Sequence, residues 1–393
     1  MSEDYIKRLL PVPESSFILF GPRGVGKSTW LREKFKEALY IDLLNASTFL
    51  ELSVQPDHLE AMAGTQPANS WIVIDEIQKL PVLLDEVQRL MENRQWRFAL
   101  CGSSARKLRR GGVNLLGGRA VTRNLAPFCS QELDTEFDLP FSLQWGLLPI
   151  VNNEKNSAAD ILSSYVNTYL KEEIKEEGLV RRVEPFIRFL TIAGILNGQI
   201  INAHNISREA SVARSTVDVY FSILEETLLA HFLPPYQPGI KVRERAHKKL
   251  YWFDPGVARA AAGLLYDPAD RIWLGFALET LLYNEINVYN HTTQKNRPVY
   301  YYKTGSGYEV DFIIETKKEL YGKPPHVVCI EVKSSEKWNR LWEKPMRSIA
   351  QSPKIVVEKM IGVYTGDKKY HFDGVDVLPV KDFLKNLYQG NIF

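Results

Sequence analysis

The sequence predicts a multidomain α/β protein with a parallel-sheet domain first, a helical middle, and a second α/β domain at the C-terminal end. Three observations carry this expectation. The 393 residues exceed one ordinary core, since domains usually hold about 100 to 200 residues. Short apolar runs alternate with helical stretches from Ser16 to about Cys129, and a mixed strand and helix texture returns from about Asp267. Hydrophobic residues make up 45% and charged residues 24%, which fits globular domains and excludes disordered or collagen-like chains.

The N-terminal runs are Phe17 to Phe20, Ala38 to Ile41, Trp71 to Ile74 and Phe98 to Cys101. Uninterrupted apolar runs of this length suit strands buried on both faces, as in a parallel sheet covered by helices. After the first run comes Gly21-Pro22-Arg23-Gly24-Val25-Gly26-Lys27-Ser28, followed by Thr29 and a helix-like stretch to Lys36. This is GxxxxGK[ST] in its required setting, between a strand and a helix. The glycines let backbone N–H groups turn onto a phosphate at a helix N-terminus, Lys27 bridges the β- and γ-phosphates, and the Ser28 hydroxyl holds Mg²⁺. ATP and Mg²⁺ are therefore the expected cofactors of a P-loop parallel-sheet ATPase. The strand Trp71 to Ile74 ends in Asp75 and Glu76, which resembles a Walker B motif. Asp75 is expected to orient Mg²⁺ and Glu76 to polarise the attacking water.

The run Phe98 to Cys101 ends in Gly102-Ser103-Ser104, where AAA-type ATPases place a residue that senses the γ-phosphate. Ser103 is the choice, and Ser104 is equally allowed by spacing. Arg119 is a candidate arginine finger, acting in its own subunit or in a neighbour's, with Arg106, Arg109, Arg110 and Arg123 as competitors.

In the middle, the stretch from Asn205 to Ala210 followed by that from Val212 to Tyr220 has the texture of a helix-turn-helix. Val217, Tyr220, Phe221 and Leu224 recur at helical spacing, and the second helix presents Arg214, Ser215, Thr216 and Asp218 at its start. The most basic short run, Lys241 to Lys249, lies where the wing of a winged helix would sit; Lys241, Arg243, Arg245, Lys248 and Lys249 suit phosphate contacts with DNA. Between these regions a helical lid or linker is expected, including Tyr165 to Ile174 with Gly178 beyond it.

Toward the C-terminus, Glu279 lies in a helical stretch, Asp311 in an apolar strand, and Glu331 and Lys333 two residues apart on one strand face. This D-to-ExK arrangement is that of PD-(D/E)XK nucleases. There Asp311 and Glu331 would hold Mg²⁺ while Lys333 positions the hydrolytic water or stabilises the transition state. A restriction-endonuclease-like α/β domain is expected.

Nearly the whole chain resembles the prokaryotic AAA-type ATPases that carry a winged-helix segment and a C-terminal PD-(D/E)XK-nuclease-like domain. The resemblance rests on Gly21 to Ser28, on Ile74-Asp75-Glu76-Ile77-Gln78, on Gly102 to Ala105, on Gly118-Arg119 and on Tyr165 to Ile174. It continues through Tyr251 to Gly256, Glu309 to Phe312 and Ile330 to Ser335. It implies ATP hydrolysis with Mg²⁺. One departure is local: the family usually has two glycines before a proline in the linker, whereas this chain has Gly146-Leu147-Leu148-Pro149.

The expected domains are an ATPase core at 1–133, a helical lid or linker at 134–182, a winged helix at 183–265 and a nuclease-like domain at 266–393. The leading functional expectation is an ATPase coupled to DNA binding and metal-dependent cleavage, in DNA processing or defence. The alternative is a nucleotide-switched regulatory or scaffold ATPase whose C-terminal domain binds nucleic acid or protein without cutting. DNA is the expected partner, and a homo-oligomer fits an arginine finger supplied by a neighbour. A net charge of +2 points to no partner by itself. Three scattered cysteines imply neither a disulfide-linked partner nor a zinc site, and no apolar run is long enough to span a bilayer. The expected location is the cytoplasm.

Overall fold

The four apolar runs of the N-terminal region become strands, and three of them lead directly into a segment with expected chemistry. In the computed structural model, which describes residues 5–103, 106, 108, 116–170, 183–237, 247–303, 307–320 and 322–393, these strands are β1 (Phe17–Phe20), β2 (Leu39–Asp42), β3 (Trp71–Asp75) and β4 (Arg97–Gly102). A fifth, β5 (Val121–Asn124), completes a parallel sheet in the order β2-β3-β4-β1-β5. Its residues alternate between half-buried and exposed, as an edge strand's do, so Val-Thr-Arg-Asn offers no apolar run to read.

Chain contacts separate two compact units. The first comprises Met1–Phe128, Leu148–Asn153 and Ser222–Leu229; the second comprises Cys129–Leu147, Glu154–Phe221 and Ala230–Phe393. The first unit has its core on the sheet, where Ile18, Phe20, Ile72, Ile74, Phe98 and Leu100 pack with Leu83, Leu84, Val87 and Leu90 of the helix Leu83–Asn93. That helix buries one apolar stripe and leaves its charged face to solvent.

The second unit begins with short helices, among them Leu139–Trp145 and Ala158–Ser164. Helices Val183–Ile195 and Ala203–Glu209 follow, then the helix Arg214–Glu226, which from Ser222 belongs to the first unit, and an antiparallel sheet of β6 (Gln199–Ile200), β7 (Ala230–Leu233) and β8 (Lys249–Trp252) in the order β6-β8-β7. Asn202 caps the helix Ala203–Glu209 by accepting from His204 and Asn205 N–H, and Ser211 at φ 55 turns the chain before the next helix starts at Arg214. Phe186, Phe189, Tyr220 and Phe221 meet edge-on or tilted, which fixes how the first and third helices cross.

The rest of this unit is a helix, Arg271–Thr292, laid on a six-stranded mixed sheet. Its strands are β9 (Val299–Lys303), β10 (Glu309–Lys317), β11 (His326–Lys333), β12 (Val356–Tyr364), β13 (Tyr370–Phe372) and β14 (Val375–Pro379), ordered β13-β14-β12-β11-β10-β9. β9, β10 and β11 pair antiparallel, while β12 and β14 add parallel.

The lid, middle and C-terminal regions, read as three domains in the sequence, share buried polar bonds. Asn197 donates to Thr280 Oγ1 at 2.8 Å and accepts from Trp252 N–H at 3.0 Å. The buried Asp254 carboxylate accepts from Leu147 N–H at 2.6 Å and caps the helix Pro255–Ala261 through Val257 N–H. This explains the surviving linker glycine: Gly146 has φ 80, and a Cβ there would collide with the Asp254 carboxylate.

Glu285, fully buried on the helix Arg271–Thr292, accepts from Ser130 N–H at 2.7 Å, from Ser130 Oγ at 3.0 Å and from Tyr388 OH at 2.6 Å. Burial pushes its carboxyl up to about 7, further than these donors lower it. A folded value above the unfolded one gives stability that is complete below the unfolded pKa and lost as pH rises through about 7. Urea midpoints at pH 5 and pH 8 should show wild type losing about 3 kcal/mol more than Glu285→Gln over this interval. Equal losses would show that Glu285 does not titrate in this window.

Candidate nucleotide and carboxylate sites

Parallel pairing brings the C-terminal ends of β1, β3 and β4 to one edge of the sheet, with Phe20 level with Gly102 and Ile74 level with Leu100. Gly21 to Ser28, Asp75 with Glu76, and Ser103 therefore leave the sheet together. Gly24 and Gly26 take φ 82 and 89, which only glycine adopts at no cost, and the helix Lys27–Lys34 begins directly after them. The Lys27 ammonium is buried and donates to Gly21 O at 2.7 Å and Pro22 O at 3.0 Å, so it lies inside the loop it is expected to share with phosphate. Arg23 and Thr29 are exposed, while Val25 is buried beneath the loop.

Asp75 is buried and accepts from Tyr40 OH. Burial and then the hydrogen bond to Asp75 push the Tyr40 hydroxyl far above its usual range, so it stays a donor. Glu76 has φ 61, a strained value for a residue with a side chain, of the kind that clusters at functional sites. The Gln78 amide donates to Glu76 Oε2 and, at 3.3 Å, to Ser103 Oγ, tying the carboxylate to the tip of β4. Hard oxygens from Ser28 and Asp75 suit Mg²⁺, and no ammonium is bonded to Asp75 among the described residues.

Tyr40 and the role of Gln78 escape a reading of the sequence, and so does Arg8. The buried Arg8 guanidinium donates to Val25 O at 2.7 Å, Ala126 O at 2.6 Å and Pro127 O at 3.0 Å, bracing the phosphate loop from behind. A lone arginine beside Leu9 and Leu10 is its only signal.

The arginine candidates are engaged elsewhere. Arg119 pairs with Glu92 at 2.7 Å, Arg106 with Glu226 at 3.0 Å, and Arg123 donates to Thr122 O. Ser104, Arg109 and Arg110 lie outside the described residues.

The second constellation is assembled from four elements of the second unit. Phe312 on β10 pairs with Ile330 on β11, so Asp311 and Glu331 occupy the next facing positions. The β9 and β10 register slips between Val310 and Ile313, a bulge that re-aims side chains at this point. The Lys333 ammonium bonds Glu331 Oε1 and lies 3.7 Å from Asp311 Oδ2, which also accepts from Val332 N–H at 2.8 Å. Glu279 joins from the helix Arg271–Thr292, accepting from Tyr251 OH at 2.9 Å. The sequence motif thus converges.

The structure also corrects one assignment. The basic texture of the run places Lys249 among the DNA-contacting cations; in the fold it is only 3% exposed, at the start of β8, where it contacts three carboxylates. Its ammonium lies 2.9 Å from Glu279 Oε2, 2.7 Å from Glu309 Oε1 and 3.4 Å from Asp311 Oδ1. Lys248 remains exposed, whereas Lys241, Arg243 and Arg245 lie outside the described residues. Arg214 and Ser215 are exposed and Thr216 is half-buried at the start of their helix.

Burial would lower the Lys249 amine, but the charges of Glu279, Asp311 and Glu309 hold it well above its usual range. Burial and then the Asp311 charge raise Glu279 to about 7, and the same causes raise Glu331 well above the carboxylate range. Against burial, Lys333 and Lys249 hold Asp311 below its ordinary value.

These residues do not fit the divalent ion assigned to Asp311 and Glu331. Two ammoniums already take the faces of Asp311, and no group of three or more His, Cys, Asp or Glu among the described residues is arranged to hold a metal ion. A doubly charged ion about 4 Å from an ammonium would meet about 8 kcal/mol of repulsion at an effective dielectric constant of about 20.

Comparison with known families agrees with the first site. Residues 14–134 match the family model described as an AAA domain. That match supports an AAA-type ATPase family. Residues 136–267 and 274–383 match two domains of unknown function, DUF8612 and DUF4143. No curated protein matches the chain. No helix among the described residues is long and apolar enough to cross a membrane.

If Gln78 positions Glu76, Gln78→Ala should lower the ATPase kcat about tenfold, the worth of one positioning hydrogen bond, while ATP affinity changes less than about twofold. Steady-state turnover and equilibrium ATP binding separate the two quantities. A parallel loss of both would make Gln78 a binding residue.

Proposed function

We propose that this protein is a Mg²⁺-dependent ATPase whose nucleotide cycle controls engagement of DNA by its middle and C-terminal regions. The observation that carries the reading is the common sheet edge from which Lys27, Asp75, Glu76 and Ser103 emerge. Lys27 would leave the carbonyls of Gly21 and Pro22 to hold phosphate oxygens, and Ser28 and Asp75 would hold Mg²⁺ and its water shell. Mg²⁺ neutralises charge on the phosphates when bound. Glu76, held by Gln78, would orient the attacking water, and Ser103, bonded to the same Gln78 amide, would sense the γ-phosphate. Lys27→Ala should abolish nucleotide binding, whereas Glu76→Gln should bind ATP and turn it over at least about a hundredfold more slowly. Normal turnover by Glu76→Gln would remove Glu76 from the chemistry.

The DNA reading is supported by the order helix, β6, helix, helix, β7, β8 with β8 central, which is the topology of a winged helix. Arg214, Ser215, Thr216 and Lys248 are the described residues offered to the nucleic acid, together with Lys241, Arg243 and Arg245. Replacing Lys241, Arg243, Arg245 and Lys248 by alanine should weaken binding to all duplexes alike. The slope of log K against log salt should fall by about 0.9 for each phosphate that the variant no longer neutralises. An unchanged slope would remove DNA from the role of this run.

For the C-terminal region, the helix on a mixed sheet and the grouping of Glu279, Asp311, Glu331 and Lys333 support a nuclease-like domain. The ion pairs of Lys249 favour the second reading of its chemistry, in which this domain binds nucleic acid without cutting while Lys249 keeps its place.

A further inference from the structure

We infer that the Lys249 ammonium is the resident cation of the Glu279, Glu309 and Asp311 carboxylates, in the cluster that Glu331 completes, and keeps divalent metal ions out of it. The inference rests on the nuclease-like reading of this region, from which it takes the expectation of a metal.

Two independent observations support it. Lys249 reaches Glu279, Glu309 and Asp311 from a strand of a different sheet, at 2.7–3.4 Å, with almost no exposure to solvent. A lysine needed only for charge on a surface would not be buried at the cost of its hydration. Second, Glu331 is 5% exposed, and its Oε2 is buried with no hydrogen-bond partner. A buried carboxyl oxygen normally finds a donor, so this atom is a polar position of the cluster that the ion pairs of Lys249 leave unanswered. Lys333 bonds the other Glu331 oxygen, donates to Val332 O at 3.0 Å and lies 3.7 Å from Asp311, and it does not reach Oε2.

Tyr251 supports the placement of the lysine. It lies two residues along β8 on the same face, donates to the Glu279 oxygen that Lys249 contacts, and stacks on Tyr283 at 4.8 Å, which in turn stacks on Phe312. The aromatic stack therefore joins β8 to the helix and to β10 beside the ion pairs.

The test is Mn²⁺ binding to the full-length, nucleotide-free chain, read by the electron paramagnetic resonance signal of free Mn²⁺. Wild type and Asp311→Asn should bind Mn²⁺ alike, because the cluster takes none. Lys249→Met should gain one site at least tenfold tighter than any that wild type owes to Asp311, and Lys249→Met with Asp311→Asn should lose it. Lys249→Arg retains the charge and should gain none. Thermal melts give a second readout: Mn²⁺ should raise the Tm of Lys249→Met and leave those of wild type and the double variant unchanged. Wild-type Mn²⁺ binding that falls tenfold in Asp311→Asn would overturn the inference, and that comparison needs no Lys249 variant to fold. No DNA is present, so failure to bind or cut DNA, which would defeat the functional reading, leaves this outcome unaffected.

Discussion

Parallel strand pairing makes every C-terminal strand end arrive at the same edge, and the nucleotide site is a consequence of that single constraint. Three peptide segments far apart in sequence, Gly21 to Ser28, Asp75 with Glu76, and Ser103, need no further device to meet, because β1, β3 and β4 deliver them. The details are then set by backbone. Gly24 and Gly26 supply the left-handed turns, Arg8 braces three carbonyls behind the loop, and Tyr40 and Gln78 hold the two acidic residues. The apolar core beneath these residues is continuous, so the polar edge is supported by a layer that has no need of water.

The second unit uses the opposite strategy. Its polar groups are drawn inward, and each needs a partner because a buried, unpaired charge costs several kcal/mol. Asp254 is satisfied by a helix N-terminus and the Leu147 amide, Glu285 by Ser130 and Tyr388, and Asn197 by Thr280 and Trp252. Each of these sets crosses a boundary that the sequence suggests. Most of the lid and of the middle consequently share one compact unit with the C-terminal region, although their amino-acid textures differ.

What the sequence makes legible follows the range of the interactions. The phosphate loop and the pair Asp75 and Glu76 are readable because each is a contiguous segment next to an apolar strand. The end of one helix near Ser211 and the start of the next at Ser215 or Arg214 are readable because helical spacing and turn residues are local; the helix starts at Arg214. The partnership of Asp311 with Glu331 and Lys333 is also readable, since strand alternation and one hairpin separate them. Lys249 is not. It lies 62 residues from Asp311, inside a run of basic residues whose local texture is that of a solvated surface, and only the pairing of β8 reveals that its side chain turns inward. β5 escapes because an edge strand has no apolar run. Tyr40 and Gln78 escape because nothing in an isolated tyrosine or glutamine announces which carboxylate it will hold.

The contrast between the two carboxylate sites is one of counter-ions. Asp75 is held by a neutral hydroxyl, which orients the carboxylate and leaves its charge uncompensated. Asp311 is held by two ammoniums and an amide, so its charge is already answered within the fold. Both sites contain the residue types that phosphate chemistry requires, and a motif search treats them alike. The difference lies in whether the nearest donor carries a charge. A hydroxyl leaves the charge of a carboxylate uncompensated, whereas an ammonium answers it, and at Asp311 the lysine from β8 adds its charge to that of Lys333.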